Sequence, residues 1–145
     1  MPPEHRDRLD KRIAELKSQI DSGGLRECVI RGLLYVGSAR GMVDERSLEA
    51  LRRARADDDA GSRLTVAQFK AIVREQFFML LLEPEASLAA IPQLLPSGED
   101  RRRLGLDAIR SVLSASAEIS GEAASRFERV TQLFGLTAEP RAKAS

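Results

Sequence analysis

Apolar side chains recur every three or four residues along most of the chain, with charged residues between them. This spacing places the apolar groups on one face of successive α-helices. After a first helix that ends at Ser22-Gly23-Gly24, it predicts helices over 25–39, 45–56, 65–83, 85–91, 100–117 and 121–133. We therefore expect an all-α protein, a compact bundle of about seven helices.

Two of these helices carry apolar groups that one core would not need. The first helix has a narrow, coiled-coil-like stripe, and the 65–83 helix becomes apolar on every side over its last turn and a half. We predict that both segments form an interaction surface for a partner protein or a second copy of the chain. The residues of this predicted surface are Leu9, Ile13, Leu16, Ile20, Phe78, Met79 and Leu82.

Helix boundaries follow from caps and breakers. Asp44 and Thr65 are good N-caps for the helices after them, and Gly135 ends the last helix. Pro92 is expected to stop the short helix 85–91. Gly32 lies inside a helix, where glycine costs about 1 kcal/mol against alanine, so we expect close helix packing there.

The two helix pairs 25–56 and 100–133 align without gaps at an offset of 76 residues. Apolar positions coincide, and so do the turn length, a β-branched residue in the turn and the N-cap. These features favour a duplicated helix–loop–helix, whose copies should pack on each other with the 65–83 helix between them. The matched pairs are Ile30 and Leu106, Leu33 and Ile109, Val36 and Val112, Val43 and Ile119, Asp44 and Ser120, Leu51 and Phe127, and Ala54 and Val130.

The turn ARGMVDE (39–45) and its echo SAEISGE (116–122) resemble the turns of TerB-like helical domains, named for tellurite resistance. The stretch from 25 to 136 is also similar to the C-terminal helical region of bacterial proteins whose N-terminal half resembles a polyhydroxyalkanoate synthase or α/β-hydrolase. The segments that carry this second likeness are LLYVG (33–37), VDER (43–46), REQFFMLLL (74–82) and AAIP (89–92). The resemblance implies a TerB-like domain over 25–136, the apolar spacing predicts an N-terminal helix within 1–24, and the composition of 137–145 predicts a disordered tail.

The TerB-like resemblance would imply a metal site, but the chain departs from that pattern. The family's turn aspartate and the glutamate seven residues later are replaced by Arg40 and Ser47 in the first copy, and by Ser116 and Ala123 in the second. These residues cannot replace the carboxylates that a hard cation prefers. We therefore predict no metal and no cofactor. The alternative is a regulatory metal or ligand sensor that uses Asp44, Glu45, Glu118 and Glu122.

Composition narrows the function classes. The net charge is +1, so the chain has no global field that favours nucleic acid. The longest apolar run, 77–82, is far shorter than the roughly 20 residues of a membrane span. One cysteine fits a reducing compartment, so we expect a cytoplasmic protein.

Catalytic patterns are missing from the sequence. The only histidine, His5, lies near the chain terminus, and Cys28 lies on an apolar helix face. Asp57-Asp58-Asp59 has neither the glycine nor the bidentate glutamate of a calcium loop. We expect a non-catalytic helical accessory domain that docks on a partner or on itself. The alternatives are the sensor and an accessory fragment of a polyhydroxyalkanoate-synthase-like protein.

Overall fold

The computed structural model describes residues 3–41, 45–58 and 65–136. These residues form eight α-helices and one 3-10 turn, and none of them lies in a strand. The predicted all-α bundle is confirmed. In chain order the helices are α1 (Pro3–Gln19), α2 (Leu25–Gly37), α3 (Glu45–Asp58), α4 (Val66–Leu82), α5 (Pro84–Ala89), α6 (Ile91–Leu94), α7 (Glu99–Ser116) and α8 (Gly121–Leu133), and the 3-10 turn is Ser38–Arg40.

The eighth helix arises because the predicted helix 85–91 is divided. The division falls at Ala90, and Pro92 lies in the first turn of α6 instead of ending a helix. Proline is tolerated there because a first-turn N–H has no partner within the helix. The prediction that Pro92 stops a helix was therefore wrong.

The predicted caps have different outcomes. Thr65 Oγ1 accepts from the Gln68 backbone N–H at 3.0 Å, and Gln68 Oε1 accepts from the Thr65 N–H at 2.9 Å, which closes a capping box. Ser120 occupies the N-cap position of α8, but its side chain makes no capping hydrogen bond. Asp44 lies outside the described residues. Gly135 follows α8 with a φ of 72°, as expected for a glycine that ends a helix.

The two helix pairs pack directly on each other. Helix α2 lies at the centre, against α4, α7 and α8, and α3 packs on α7. Gly32 allows the close approach of α2 and α7, because a Cβ at this position would lie 2.9 Å from Ile109 Cδ1. Gly105 on α7 has the same role, because a Cβ there would lie 2.9 Å from Val29 Cγ2. Helix α4 packs on α1, α2 and α5. The prediction that it lies between the two helix pairs was therefore wrong.

The second helix of each pair agrees with the repeat, whereas the first helices α2 and α7 begin at Leu25 and Glu99, 74 residues apart. Helices α3 and α8 begin at Glu45 and Gly121, 76 residues apart, as the sequence offset requires. The matched pairs Ile30 with Leu106 and Leu33 with Ile109 are buried in both copies. Val43 and the side chain of Ala54 lie outside the described part, so their pairs are not compared.

Arg40 connects the turns of the two helix pairs. Its guanidinium donates to the backbone oxygens of Leu113 (3.0 Å), Ala117 (2.8 Å) and Glu118 (3.1 Å), at the C-terminus of α7. A cation is favourable there because the carbonyl groups at a helix C-terminus carry partial negative charge. The turn of the first copy is thereby bound to the turn of the second.

Candidate interaction surface

The main polar feature of the interior is Arg31 on α2, which is completely buried. Its Nε donates to Gln76 Oε1 at 2.7 Å, and its Nη1 donates to the backbone oxygens of Ser87 at 2.8 Å and Ile20 at 3.2 Å. Nη2 lies 3.4 Å from Met79 Sδ. Burial lowers the pKa of Arg31. Neutral acceptors from three separate segments, the end of α1, α4 and α5, therefore hold this cation.

These contacts decide which face of α4 turns inward. Gln76 and Met79 are buried together with Phe69, whereas Phe77 and Leu81 expose 46% and 64% of their surfaces. The hydrophobic pattern alone would bury Phe77 and Leu81. Gln76 is buried instead because a buried polar group without a partner costs about 1–3 kcal/mol, and more when it is charged.

The orientation of α4 leaves apolar side chains exposed at its C-terminal end. We call Phe78, Leu81 and Leu82 the α4 patch; Phe78 exposes 40% of its surface and Leu82 exposes 41%. The Phe78 ring packs edge-to-face on Phe77, with the centroids 5.7 Å apart. Clustered exposed apolar groups on one helix are typical of a binding surface.

The predicted interaction residues divide into exposed and buried groups. Leu16, Ile20 and Met79 are buried within the chain, and Ile20 and Met79 pack with Ala90 in a small apolar cluster. Predicting these three as exposed was wrong, because the stripe of α1 packs on α4 of its own chain. The remaining predicted residues are Leu9, Phe78 and Leu82, which are exposed, and Ile13, which is half-buried.

Sequence reasoning missed Leu81 and Arg31. Leu81 lies four residues after Phe77 on the 69–73–77 apolar spacing, which predicts that it faces the core. The signal for its exposure was the uninterrupted apolar run 77–82, since six consecutive helical residues cannot all face one side. The signal for Arg31 was weaker: it is the one charged residue between positions 28 and 36.

The carboxylates predicted for the alternative metal site do not form a metal-binding group among the residues that the structure describes. Glu45, Glu118 and Glu122 are exposed, and Glu122 forms an ion pair with Arg126 at 3.1 Å. No group of three or more His, Cys, Asp or Glu residues within the described ranges could hold a metal ion. Asp44 lies outside those ranges.

The Cys28 thiol is placed for packing. It is buried, its Sγ lies 3.8 Å from the Ile91 backbone oxygen, and burial raises the pKa of the thiol to about 12. A thiol that stays protonated is a poor nucleophile. The side chains of His5, Asp57 and Asp58, and all of Asp59, lie outside the described part of the chain.

A second polar cluster joins α2, α5 and α8 around Tyr35. The guanidinium of Arg126 lies over the Tyr35 ring at 4.9 Å, and that of Arg129 lies over it at 5.9 Å. Arg129 Nη2 also pairs with Glu85 Oε1 at 2.7 Å, and this hydrogen bond lowers the pKa of Glu85. Internal partners occupy these arginines, so the cluster holds helices together.

Comparison with known proteins finds a longer relative. An uncharacterized protein in ackA 5'region of Rhizobium meliloti is 48% identical over 135 residues, which is 93% of this chain. The chain spans only 18% of that relative's length. No protein-family model matches the chain, and no solved structure matches it. Within the described residues, no helix combines the length and apolar character that crossing a membrane requires.

Proposed function

We propose that the chain is a non-catalytic helical accessory domain that docks through the α4 patch on the remaining part of a longer protein of the Rhizobium meliloti relative's kind. The observation that carries this proposal is the exposure of Phe78, Leu81 and Leu82 together at one helix end. Burying their exposed surface would be favourable by about 25 cal/mol for each Å² of apolar area removed from water.

The comparison supports the choice of partner. The aligned segment makes up 18% of the relative, so a related segment belongs to a much larger protein there. An apolar patch within such a protein would be covered most simply by the rest of the same protein. The TerB-like resemblance stays a prediction about the fold family, and the synthase-like resemblance stays a prediction about the larger protein.

The non-catalytic part of the proposal is supported by the state of the candidate nucleophile. Cys28 is buried, and its pKa is raised to about 12. Burial that raises the pKa of a thiol is the opposite of the environment that activates a cysteine.

The test mixes this chain with the Rhizobium meliloti relative from which the aligned segment has been deleted. We expect a 1:1 complex, measured by size-exclusion chromatography with light scattering and by calorimetric titration. Leu81→Glu should weaken binding by tenfold or more, since it places a charge in the buried interface. Leu104→Glu is the matched control, because Leu104 is an exposed leucine on α7.

Circular dichroism must show that the shortened relative and both variants are folded. If the shortened relative does not fold, acidic substitutions enter the intact relative at the positions aligned with the α4 patch. Faster proteolytic release of the aligned segment is then the expected result. Absence of a complex between folded partners, or equal binding by L81E and L104E, would contradict the proposal. Self-association alone would assign the patch to a second copy.

A further inference from the structure

A groove lies between α3 and α4, and none of the three α4 patch residues lines it. Its volume is about 670 Å³. This lies within the roughly 300–1,000 Å³ typical of small-molecule sites. Its apolar lining comes from α2, α3 and α4, and consists of Leu34, Leu48, Val66, Phe69, Val73 and Phe77.

The groove accounts for two apolar side chains that the core leaves exposed. Val66 exposes 47% of its surface and Phe77 nearly as much, and both line the groove. Phe69, in the same lining, is buried and belongs to the main core. The groove is therefore an apolar surface continuous with the core and open to water.

The charges along the groove are arranged unequally. Lys70 and Arg74 lie one helical turn apart on α4, both exposed, and neither forms an ion pair with a described side chain. The α3 side carries two carboxylates: Glu45 is exposed, and Glu49 is held by Arg52 at 2.6 Å and by Arg53 at 3.1 Å. The hydrogen bond from Arg52 is the main cause that lowers the pKa of Glu49 to about 2.

Available positive charge therefore lies on the α4 side, beside the apolar lining. An occupant that satisfies both features has an apolar body and one anionic head group. We propose that the groove binds a single-chain amphiphile with an anionic head, of the long-chain carboxylate class. The alkyl chain lies along Val66 and Phe77, and the carboxylate meets Lys70 and Arg74. This site is independent of the docking function proposed for the α4 patch.

The test is calorimetric titration of the intact chain with octanoate, decanoate and dodecanoate below their critical micelle concentrations. We expect one molecule bound per chain, with affinity rising up to about fourfold for each added CH₂. Alkyltrimethylammonium ions of the same chain lengths should bind at least tenfold more weakly. Binding of many molecules per chain, or equal affinity for the cationic amphiphile, would overturn the proposal.

Substitutions separate the head-group contact from the apolar contact. The double variant Lys70→Gln/Arg74→Gln should reduce dodecanoate affinity about tenfold while leaving the affinity for dodecanol unchanged. Val66→Glu should reduce affinity for both ligands. Both variants change exposed residues, and circular dichroism checks their folding. Unchanged dodecanoate affinity in the folded double variant would contradict the assigned head-group site.

Two further measurements distinguish the site from other surfaces. Leu81→Glu changes the α4 patch and should leave dodecanoate binding unchanged, so failure of the docking proposal and failure of this one can be told apart. Vesicles of phosphatidylcholine with phosphatidylglycerol provide the same kind of charge at a membrane surface. Binding to these vesicles without binding to monomeric dodecanoate would assign the basic side to a membrane and overturn the proposal.

Discussion

Each face of α4 carries side chains that the hydrophobic pattern of the helix does not predict. The inner face buries a glutamine against a buried arginine, Gln76 against Arg31. The outer face exposes two phenylalanines and two leucines over its last turn and a half. The orientation of a strongly apolar helix can therefore be decided by one buried charged group on a neighbouring helix that needs a hydrogen-bond acceptor.

The energetic reason is the difference between leaving an apolar group exposed and leaving a buried polar group unpaired. Fully exposing a leucine or phenylalanine side chain forgoes about 1.5–3 kcal/mol of burial energy. Partial exposure, as at Phe77, forgoes less. A buried guanidinium without an acceptor for its Nε would cost at least as much, because charged groups carry the larger desolvation penalty.

The largest expected effect comes from removing the cation. Arg31→Met leaves Gln76 and the backbone oxygens of Ile20 and Ser87 without their buried donor, so we expect the free energy of unfolding to fall by about 3 kcal/mol or more. Urea unfolding followed by circular dichroism measures it. Arg101→Met, at an exposed position of α7, should change stability by less than about 0.5 kcal/mol. Equal effects of the two substitutions would show that Arg31 does not orient α4.

Two single substitutions, one on each face of α4, test most directly whether Arg31 orients this helix. Gln76→Leu adds an apolar group but removes the acceptor of Arg31 Nε, so we expect a loss of about 1–3 kcal/mol of stability. Leu81→Gln replaces an exposed leucine and should cost no more than about 0.5 kcal/mol. Chemical denaturation of both variants measures the difference. If Q76L were more stable than L81Q, the hydrophobic pattern and not Arg31 would decide the orientation of this helix.

The last expected effect is confined to alkaline pH and concerns Cys28, which is buried three residues before Arg31. The pKa of the thiol is raised from about 9 to about 12 in the folded chain. Above pH 9 the unfolded chain therefore binds fewer protons than the folded chain, and stability falls as the pH rises toward 12. We expect this thiol to contribute a slope of up to about 1.4 kcal/mol per pH unit.

Cys28→Ala isolates that contribution. Denaturation of both proteins between pH 8 and 11 should show a shallower decline for the variant. Parallel declines would show that the thiol ionises as readily in the folded chain as in the unfolded one. The interior beside Arg31 would then be accessible to water.

Local features of the fold were predictable from the sequence, whereas the orientation of α4 was not. Thr65 and Gly135 act within a few residues of themselves, so their sequence neighbours suffice to assign them. The acceptors of Arg31 come from positions 20, 76 and 87, which only the folded chain brings together. For the same reason the sequence placed Met79 on the surface and Leu81 in the core.

The candidate sites were also predictable only in part, because some of their residues are neighbours in sequence and others come together only in the folded chain. The apolar run 77–82 is visible in the sequence, and it gave Phe78 and Leu82 correctly as exposed. The groove was not predictable, because its lining combines residues of α2, α3 and α4. Lys70 and Arg74 are unremarkable in the sequence, since their place beside that lining depends on how α3 packs.

The hydrogen bond from Arg31 to the Ile20 oxygen has a consequence for dividing longer relatives into expressible fragments. The glycine pair at positions 23 and 24 looks like a natural cleavage point, yet a fragment that starts there lacks one acceptor of the buried cation. It also uncovers Met79 and Ala90, which pack against Ile20. A fragment intended to fold independently should therefore begin upstream of α1, and this first helix belongs to the same cooperative unit as the bundle.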